Sequence, residues 1–339
     1  MEKGEIFAVL FPGQGSQKVG MGLDLALAME SSLARDLFKK ADNIAKRDIS
    51  KIFFYGPEED LNQTKNTQLA IAVVSIALTE ILLEELKLKN IDFKPFACCG
   101  HSLGEITALW FSGVISFENL INLVSIRSQL MQNSKKGGMA AILNLGIEEI
   151  KGLIKSENLT EKIVIANHNS PNQFVISGDK EVFEDKNINL QEKIKSLSGK
   201  AIILPVSGAF HSPLMNEASD IFKNEIDKLI LLSEAKIKIP IYQNADGKPS
   251  TDISEIKNKL KKQMTSPVLW TQTINNLVKD GVKTIIEIGP GKVLTGLVKK
   301  INKDIECFNI SDLKTLKEFI GIYEQRFSET GTKSKTKSH

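Results

Sequence analysis

The sequence contains little cysteine, and the few cysteines it has argue against one class of protein. Cys98, Cys99 and Cys307 are odd in number and two of them are adjacent, so they suggest no disulfide framework. No group of cysteines and histidines has the spacing of a zinc site. We therefore expect free thiols in a reducing, cytoplasmic compartment, and no bound metal.

Long apolar runs and a strong net charge are also missing. No stretch of about 18 uninterrupted apolar residues occurs, so a membrane-spanning helix is not expected. The N-terminus lacks the apolar region and cleavage site of a signal peptide. The formal net charge of +3 is too small to indicate a nucleic-acid partner. With 339 residues, the chain can form either one large domain carrying an insertion or two domains.

Arginine is rare, because lysine supplies nearly all of the positive charge. Arg127 falls on the i, i+3, i+4 spacing of the apolar residues in SFENLINLVSIRSQLMQ (116–132), which places it on an apolar stripe. A buried guanidinium needs an anion, and its planar fork binds a carboxylate bidentately. The spacing leaves three interpretations open. Arg127 binds a substrate carboxylate, forms a structural ion pair with a core Asp or Glu, or extends to solvent at the edge of the stripe.

Short apolar runs alternate with helical periodicity over most of the chain. Strands are predicted at 6–11, 96–99 and 284–290. Helices are predicted at 68–89, 104–112, 116–133 and 291–300. Continuous apolar strands that alternate with helices predict an α/β fold with a mostly parallel sheet, buried on both faces.

The middle of the chain has a different order of elements. Strands are predicted at 139–144, 163–167, 173–177 and 201–206, with helices at 147–156 and 180–196. This βαββαβ order is that of a ferredoxin-like unit. We expect a small ferredoxin-like subdomain at 138–203, inserted into a large catalytic subdomain made of 1–137 and 204–325. Residues 326–339 are polar and of low complexity at their end, which predicts a disordered tail.

A candidate nucleophile lies in the sequence Gly100-His101-Ser102-Leu103-Gly104, which fits G-x-S-x-G. The motif follows a predicted strand and precedes a predicted helix, as a nucleophile elbow requires. Glycines on both sides of Ser102 relieve clashes in so tight a turn, and the start of a helix favours developing negative charge. The alternative is a structural glycine-rich turn without catalytic function.

A serine nucleophile needs a base, and the chain has only four histidines. His339 lies in the predicted tail, and His101 is adjacent to the serine and is expected to pack beneath it. His168 lies in a predicted loop of the small subdomain. By elimination, His211 in the large subdomain is the best candidate for the base, although a loop histidine taken alone is more often a surface or capping residue.

A tetrahedral intermediate also needs donors for its oxyanion. The N–H of Leu103, just after the nucleophile, is one candidate. The glycine-rich loop after the first strand offers a second, the N–H of Gln14. The same loop begins the dinucleotide-binding pattern G-x-G-x-x-G, but its third glycine position is Lys18, which breaks that pattern.

Several motifs together resemble those of the malonyl-CoA:acyl carrier protein transacylases. They occur in family order over roughly residues 5–310. The matching pieces are FPGQGSQ (11–17), GHSLGE (100–105), Arg127, ANHNSP (166–171), AFHSPLM (209–215), QMTSPVLW (263–270) and EIGPGKVLTGL (287–297). The resemblance implies an α/β-hydrolase-like core with a ferredoxin-like insertion.

The resemblance also implies a role for each matching residue. Ser102 corresponds to the acylated nucleophile and His211 to its base. Arg127 corresponds to the residue that holds the free malonyl carboxylate. Gln14 and Leu103 correspond to the oxyanion-hole donors. The implied reaction moves malonyl from malonyl-CoA to the phosphopantetheine thiol of acyl carrier protein by a ping-pong route, which initiates fatty acid elongation, without a cofactor and in a monomer.

Two further positions carry implications of the same kind. Gln263 corresponds to a glutamine whose main-chain carbonyl orients the histidine, so that no carboxylate is needed in a triad. Phe210 is similar to the residue of malonyl-selective relatives, whereas His168 matches a variable position and is given no role. The alternatives are an acyltransferase of polyketide synthesis, a serine thioesterase or esterase on the same elbow, and a non-catalytic binding protein that keeps the fold.

Overall fold

The computed structural model describes residues 6–28, 32–185, 188–206, 208–229, 237 and 239–333. The large sheet has the order β10-β9-β1-β2-β7-β8 and the small sheet the order β4-β5-β3-β6. The strands are β1 (Phe7–Phe11), β2 (Ala97–Gly100), β3 (Gly137–Leu143), β4 (Ile163–Ser170), β5 (Gln173–Asp179), β6 (Lys200–Ile203), β7 (Ile241–Tyr242), β8 (Pro249–Ser250), β9 (Thr284–Ile288) and β10 (Glu306–Ile310).

Helices cover both faces of the large sheet and one face of the small sheet. They are α1 (Leu23–Leu27), α2 (Leu33–Ala45), α3 (Ile49–Tyr55), α4 (Glu58–Leu61), α5 (Thr64–Leu88), α6 (Leu103–Phe111), α7 (Phe117–Gln132), α8 (Ile147–Ser156), α9 (Lys180–Glu184), α10 (Leu190–Ser196), α11 (Asn216–Lys228), α12 (Ile253–Lys262), α13 (Trp270–Lys279), α14 (Val293–Ile301) and α15 (Leu313–Lys333), with a 3₁₀ turn at Pro213–Met215. Within the described ranges, no helix has the length and apolar character to cross a membrane.

The large sheet is parallel except at the β7–β8 edge, and the predicted α/β fold is confirmed. Its central strand β1 alternates between two cores. Phe7, Val9 and Phe11 pack on the side of α5 and α7, whereas Ala8 and Leu10 pack with α13 and α14. A strand that is buried on both faces must be apolar at every position, which explains the continuous run in the sequence.

The small sheet is antiparallel, in contrast to the large one. Its strands and helices alternate as βαββαβ if α9 and α10 are counted as one helical segment. The segment predicted as one helix at 180–196 instead forms these two short helices, and Asn189, which begins α10, has φ 43°. Helix α9 ends at Glu184, and Asp185 after it is extended (φ −73°, ψ 118°), so the predicted single helix is wrong in this respect.

Two other local predictions differ from the structure. Strand β4 continues to Ser170 through two irregularities, so His168 lies in a strand and not in a loop. Helix α15 continues to Lys333, beyond residue 326, where the disordered tail was predicted to begin. Burial of Phe319 and Tyr323 and the ion pair of Arg326 with Glu306 hold this helix against the sheet. Residues 334–339 lie outside the described residues, and for them the tail stays a prediction.

Candidate active site

The G-x-S-x-G segment forms a sharp turn between β2 and α6. Ser102 has φ 50° and ψ −104°, a strained conformation for a residue with a side chain. A Cβ on Gly100 would lie 2.0 Å from the carbonyl carbon of Gly104, and a Cβ on Gly104 would lie 2.0 Å from the carbonyl oxygen of Phe11. Only glycine fits at either position, because the neighbouring atoms belong to the backbone.

The side chains of Ser102 and His211 are in direct contact, with 2.8 Å between Oγ and Nε2. On the other side of the ring, Nδ1 lies 2.9 Å from the carbonyl of Gln263 and 3.1 Å from that of Ser266. Two carbonyl acceptors require a proton on Nδ1, so Nε2 is left free to accept the serine proton. Burial and the positive charge of Arg127 lower the pKa of His211 to about 3, which keeps the ring neutral.

The guanidinium of Arg127 contacts the side chain of Ser102, and Arg127 is 0% exposed. Its Nε donates to Gln263 Oε1 at 3.0 Å, one terminal nitrogen donates to Gln68 Oε1 at 2.6 Å, and the other donates to Ser102 Oγ at 3.0 Å. Within the described residues it forms no salt bridge, although the charge of Glu105 favours its protonated form. Burial lowers the pKa of Arg127 to about 10, so it is still a cation at neutral pH.

Two residues with candidate main-chain donors line the same cleft. Gln14 and Leu103 both line it, and neither N–H has an acceptor among the residues that the structure describes. The loop that carries Gln14 packs closely on the elbow, since a Cβ on Gly13 would lie 2.4 Å from the carbonyl oxygen of His101. Two free donors beside a serine can stabilise an oxyanion.

The cleft has a volume of about 290 Å³ and lies between the two sheets. The large subdomain supplies the candidate reactive groups, and the small subdomain supplies a wall of apolar side chains and side-chain amides, the amides being those of Asn167, Asn169 and Gln173. The apolar part of that wall is Met139, Ala141 and Val175, and Phe210 and Leu297 of the large subdomain also line the cleft. A larger cavity of about 460 Å³ beneath α15 includes none of the candidate site residues.

Four buried polar residues of the site were not singled out from the sequence. Gln68 bonds Arg127, Asn169 lies 2.8 Å from His101 Nε2, and Asn244 and Glu105 lie behind the elbow. Gln68 directly precedes the apolar run LAIAVV (69–74) of α5 and follows four polar residues, so no local pattern distinguishes it. The others depend on which loops meet in space, and a single sequence does not give that.

Two other histidines differ from His211 in their surroundings. His101 borders the cleft, bonds Asn169 and meets the edge of Trp270. The ring of His168 stacks on Phe174, with 4.6 Å between ring centroids. Among the described residues, no group of three or more His, Cys, Asp or Glu side chains could hold a metal ion.

Known proteins resemble this chain over most of its length. The family model described as acyl transferase domain matches residues 8–322. A malonyl CoA-acyl carrier protein transacylase of Bacillus subtilis (strain 168) is 38% identical over 317 residues, covering 91% of this chain and 94% of the relative. One of Staphylococcus aureus (strain MRSA252) is 39% identical over 315 residues, covering 91% and 97%.

Solved structures show the same likeness. The crystal structure of an acyl carrier protein S-malonyltransferase from Vibrio cholerae has a TM-score of 0.83 at 36% identity, covering 92% of this chain and 99% of its own. That of malonyl CoA-acyl carrier protein transacylase from Clostridium perfringens has a TM-score of 0.83 at 34% identity, covering 97% and 99%. The chain belongs to the acyl transferase domain family.

Proposed function

We propose that this enzyme transfers the malonyl group of malonyl-CoA to the phosphopantetheine thiol of acyl carrier protein, through a malonyl ester of Ser102. The names of the relatives support this assignment. The observation that carries it is the buried cation beside the nucleophile, with 3.0 Å between Arg127 and Ser102 Oγ. Uncharged acyl groups would gain nothing from that cation, whereas the free carboxylate of malonyl gives it a counter-ion.

In the first half-reaction, His211 Nε2 takes the proton of Ser102 Oγ while Oγ attacks the thioester carbonyl. The oxyanion that forms lies between the N–H groups of Gln14 and Leu103. The intermediate collapses, the carbon–sulfur bond breaks, and His211 returns the proton to the leaving sulfur of coenzyme A. The carbonyls that accept from Nδ1, those of Gln263 and Ser266, stabilise the transient imidazolium without a carboxylate.

The second half-reaction is the reverse on a different thiol. His211 takes the proton of the phosphopantetheine thiol, and the sulfur attacks the ester carbonyl of the acylated serine. The same two N–H groups bind the oxyanion. The ester carbon–oxygen bond breaks, and His211 returns the proton to Ser102 Oγ. No redox cofactor or metal takes part in these steps.

In this proposal, the enzyme selects its acyl group by the free carboxylate and by the space around the α-carbon. Arg127 holds the carboxylate at one end, and fixing the acyl group keeps water badly placed for hydrolysis. Phe210, which is 5% exposed and borders the cleft, restricts the space beside the α-carbon and favours malonyl over branched relatives. The acceptor protein, the monomeric state and the cytoplasmic location are parts of the proposal.

Two alternatives share the elbow. A serine hydrolase would release the acyl group to water, but the family is an acyltransferase family and the histidine is oriented by carbonyls. An acyltransferase of polyketide synthesis would use the same residues and differ in its carrier, and the relatives named above favour the fatty-acid carrier.

Intact-protein mass spectrometry tests the proposal. After mixing with malonyl-CoA, we expect one malonyl adduct on Ser102, and we expect holo-acyl carrier protein to remove it and gain the same mass. An adduct lost to water without the carrier would indicate a hydrolase. The absence of a malonyl adduct, together with an adduct from another acyl-CoA, would contradict the role given to Arg127.

A further inference from the structure

Asn244 is a buried residue that the reaction described above does not use. It is 2% exposed and lies in the loop just after β7. Its Nδ2 donates to the carbonyl of Gly100 at 2.6 Å, and its Oδ1 accepts from the main-chain N–H of Ser102 at 2.7 Å. One side-chain amide therefore bonds the backbone on both sides of His101.

These two bonds continue the pairing of two strands. The parallel backbone pairing of β2 with β7 ends at Cys99 and Tyr242. A residue in a parallel ladder bonds the neighbours that flank its partner, donating to one and accepting from the other. The amide of Asn244 makes that pattern around His101. A side chain thus replaces strand backbone at the point where β2 turns into the elbow.

The backbone that Asn244 holds is the strained part of the site. A conformation such as that of Ser102 costs about 1–3 kcal/mol and persists only where the surroundings fix it. The carbonyl of Ser102 is bonded as well, by Gln263 Nε2 at 2.9 Å. Side chains therefore bond both the N–H and the carbonyl of the nucleophile residue.

A carboxylate in turn holds Asn244. Glu105, in the first turn of α6, is 1% exposed, and it accepts a hydrogen bond from the main-chain N–H of Asn244 at 2.8 Å. Its other oxygen accepts from Gln243 Nε2 at 3.3 Å. The loop after β7 is therefore tied to the helix that the elbow begins, and the elbow lies between these two attachments.

We propose that Asn244, held by Glu105, is a positioning residue that fixes the elbow. It directs Ser102 Oγ towards His211 and the N–H of Leu103 into the cleft. The inference rests on the proposed function only in that malonyl-CoA is the acyl donor in its test. The group that Asn244 positions is Ser102 itself. Loss of Asn244 therefore lowers the reactivity of Ser102 towards every electrophile, and it affects kcat more than KM.

The test compares Asn244→Ala with Asn66→Ala. Asn66 is also buried, and its amide makes bonds of the same two kinds: Nδ2 donates to the carbonyl of Asp60 at 2.7 Å, and Oδ1 accepts from Arg47 at 2.7 Å. Neither Asp60 nor Arg47 lines the cleft. The rate of labelling by a fluorophosphonate probe reports the reactivity of Ser102 without any acyl donor. Steady-state kinetics with malonyl-CoA and acetyl-CoA give kcat and KM, and thermal unfolding gives Tm.

We expect Asn244→Ala to slow labelling and to lower kcat for both donors by about 100-fold, the effect of displacing a reacting group by about 1 Å, with KM close to that of the wild type. Asn66→Ala should lower Tm without slowing labelling. Folded Asn244→Ala that labels within about threefold of wild type, less than 1 kcal/mol, would overturn the inference. Unequal losses for the two donors would overturn it as well, because they would indicate acyl recognition.

If Asn244→Ala does not fold, Glu105 supplies the same measurement. Glu105→Ala leaves the N–H of Asn244 without its acceptor and should slow labelling. Glu105→Gln keeps an acceptor oxygen and should restore most of the loss, and equal rates for these two variants would overturn the inference. Wild-type protein that reacts with the probe but takes no malonyl from malonyl-CoA would contradict the proposed function alone.

Discussion

The two sheets of this protein contribute to the site in different ways. The strands β1, β2 and β9 of the large sheet are buried at every position, and the loops after β1, β2 and β7 carry Gln14, Ser102 and Asn244. The small sheet ends in the edge strand β6, which is mostly exposed. Its contribution to the cleft is a wall of apolar side chains and side-chain amides. Strands that are packed on both faces hold reacting atoms in accurate positions. The side chains that only line the cleft do not need the same positional accuracy.

The first prediction concerns the most crowded point of the large sheet. Gly104→Ala would place a Cβ 2.0 Å from the carbonyl oxygen of Phe11, and neither backbone can yield without moving β1 or α6. We expect a loss of unfolding free energy above about 3 kcal/mol, the upper end of the usual cost of overpacking, and no labelling of Ser102. Urea unfolding and probe labelling measure both. A stable, reactive variant would show that this part of the large sheet is not rigid.

The second prediction concerns the charge within that rigid frame. Arg127→Ala should lower kcat/KM for malonyl-CoA by about 100-fold, because a hydrogen bond between charged groups contributes up to about 3 kcal/mol. The loss with acetyl-CoA should be much smaller. Arg127→Lys keeps the charge but not the planar fork, and we expect it to recover only part of the loss. Equal losses for the two acyl donors in Arg127→Ala would contradict a carboxylate-binding role.

Much of this arrangement could be predicted from the sequence, for a physical reason. Strands buried on both faces are apolar throughout, so β1 and β2 were recognisable, and an elbow needs glycines at fixed offsets from Ser102. The contacts of Asn244 could not be predicted. They join residues 142 and 144 positions apart, and no local pattern distinguishes this asparagine from one in an ordinary loop. The break between α9 and α10 was missed, although the polar run EDKN (184–187) interrupts the apolar spacing there.

The third prediction compares how His211 of the large subdomain and His168 of the small subdomain affect stability at low pH. The pKa of His211 is lowered to about 3 from an ordinary 6.5, and burial also lowers that of the half-buried His168. A histidine whose pKa is lower in the folded state takes up its proton first in the unfolded state. Stability is therefore lost as the pH falls below about 6.5 and continues to fall towards pH 3.

Replacement of a histidine by glutamine removes the part of the acid-induced loss of unfolding free energy that this histidine causes. Between pH 7 and about pH 4.5, His211→Gln should lose about 2 kcal/mol less unfolding free energy than wild type, and His168→Gln should show a smaller difference. Urea unfolding at the two pH values measures this. A larger effect at His168 would mean that the small subdomain, and not the site, dominates the acid response.

The last prediction uses a glycine of the small subdomain as the counterpart of Gly104. Gly152 lies within α8, and an added Cβ would meet no atom within 4 Å. Alanine removes backbone freedom from the unfolded chain and suits a helix, so Gly152→Ala should raise the unfolding free energy by about 0.5–1 kcal/mol. Labelling of Ser102 should not change. A glycine-to-alanine substitution would thus destroy the site in the large subdomain and stabilise the small subdomain. Reduced labelling of Ser102 in Gly152→Ala would show that the small subdomain helps to position the nucleophile.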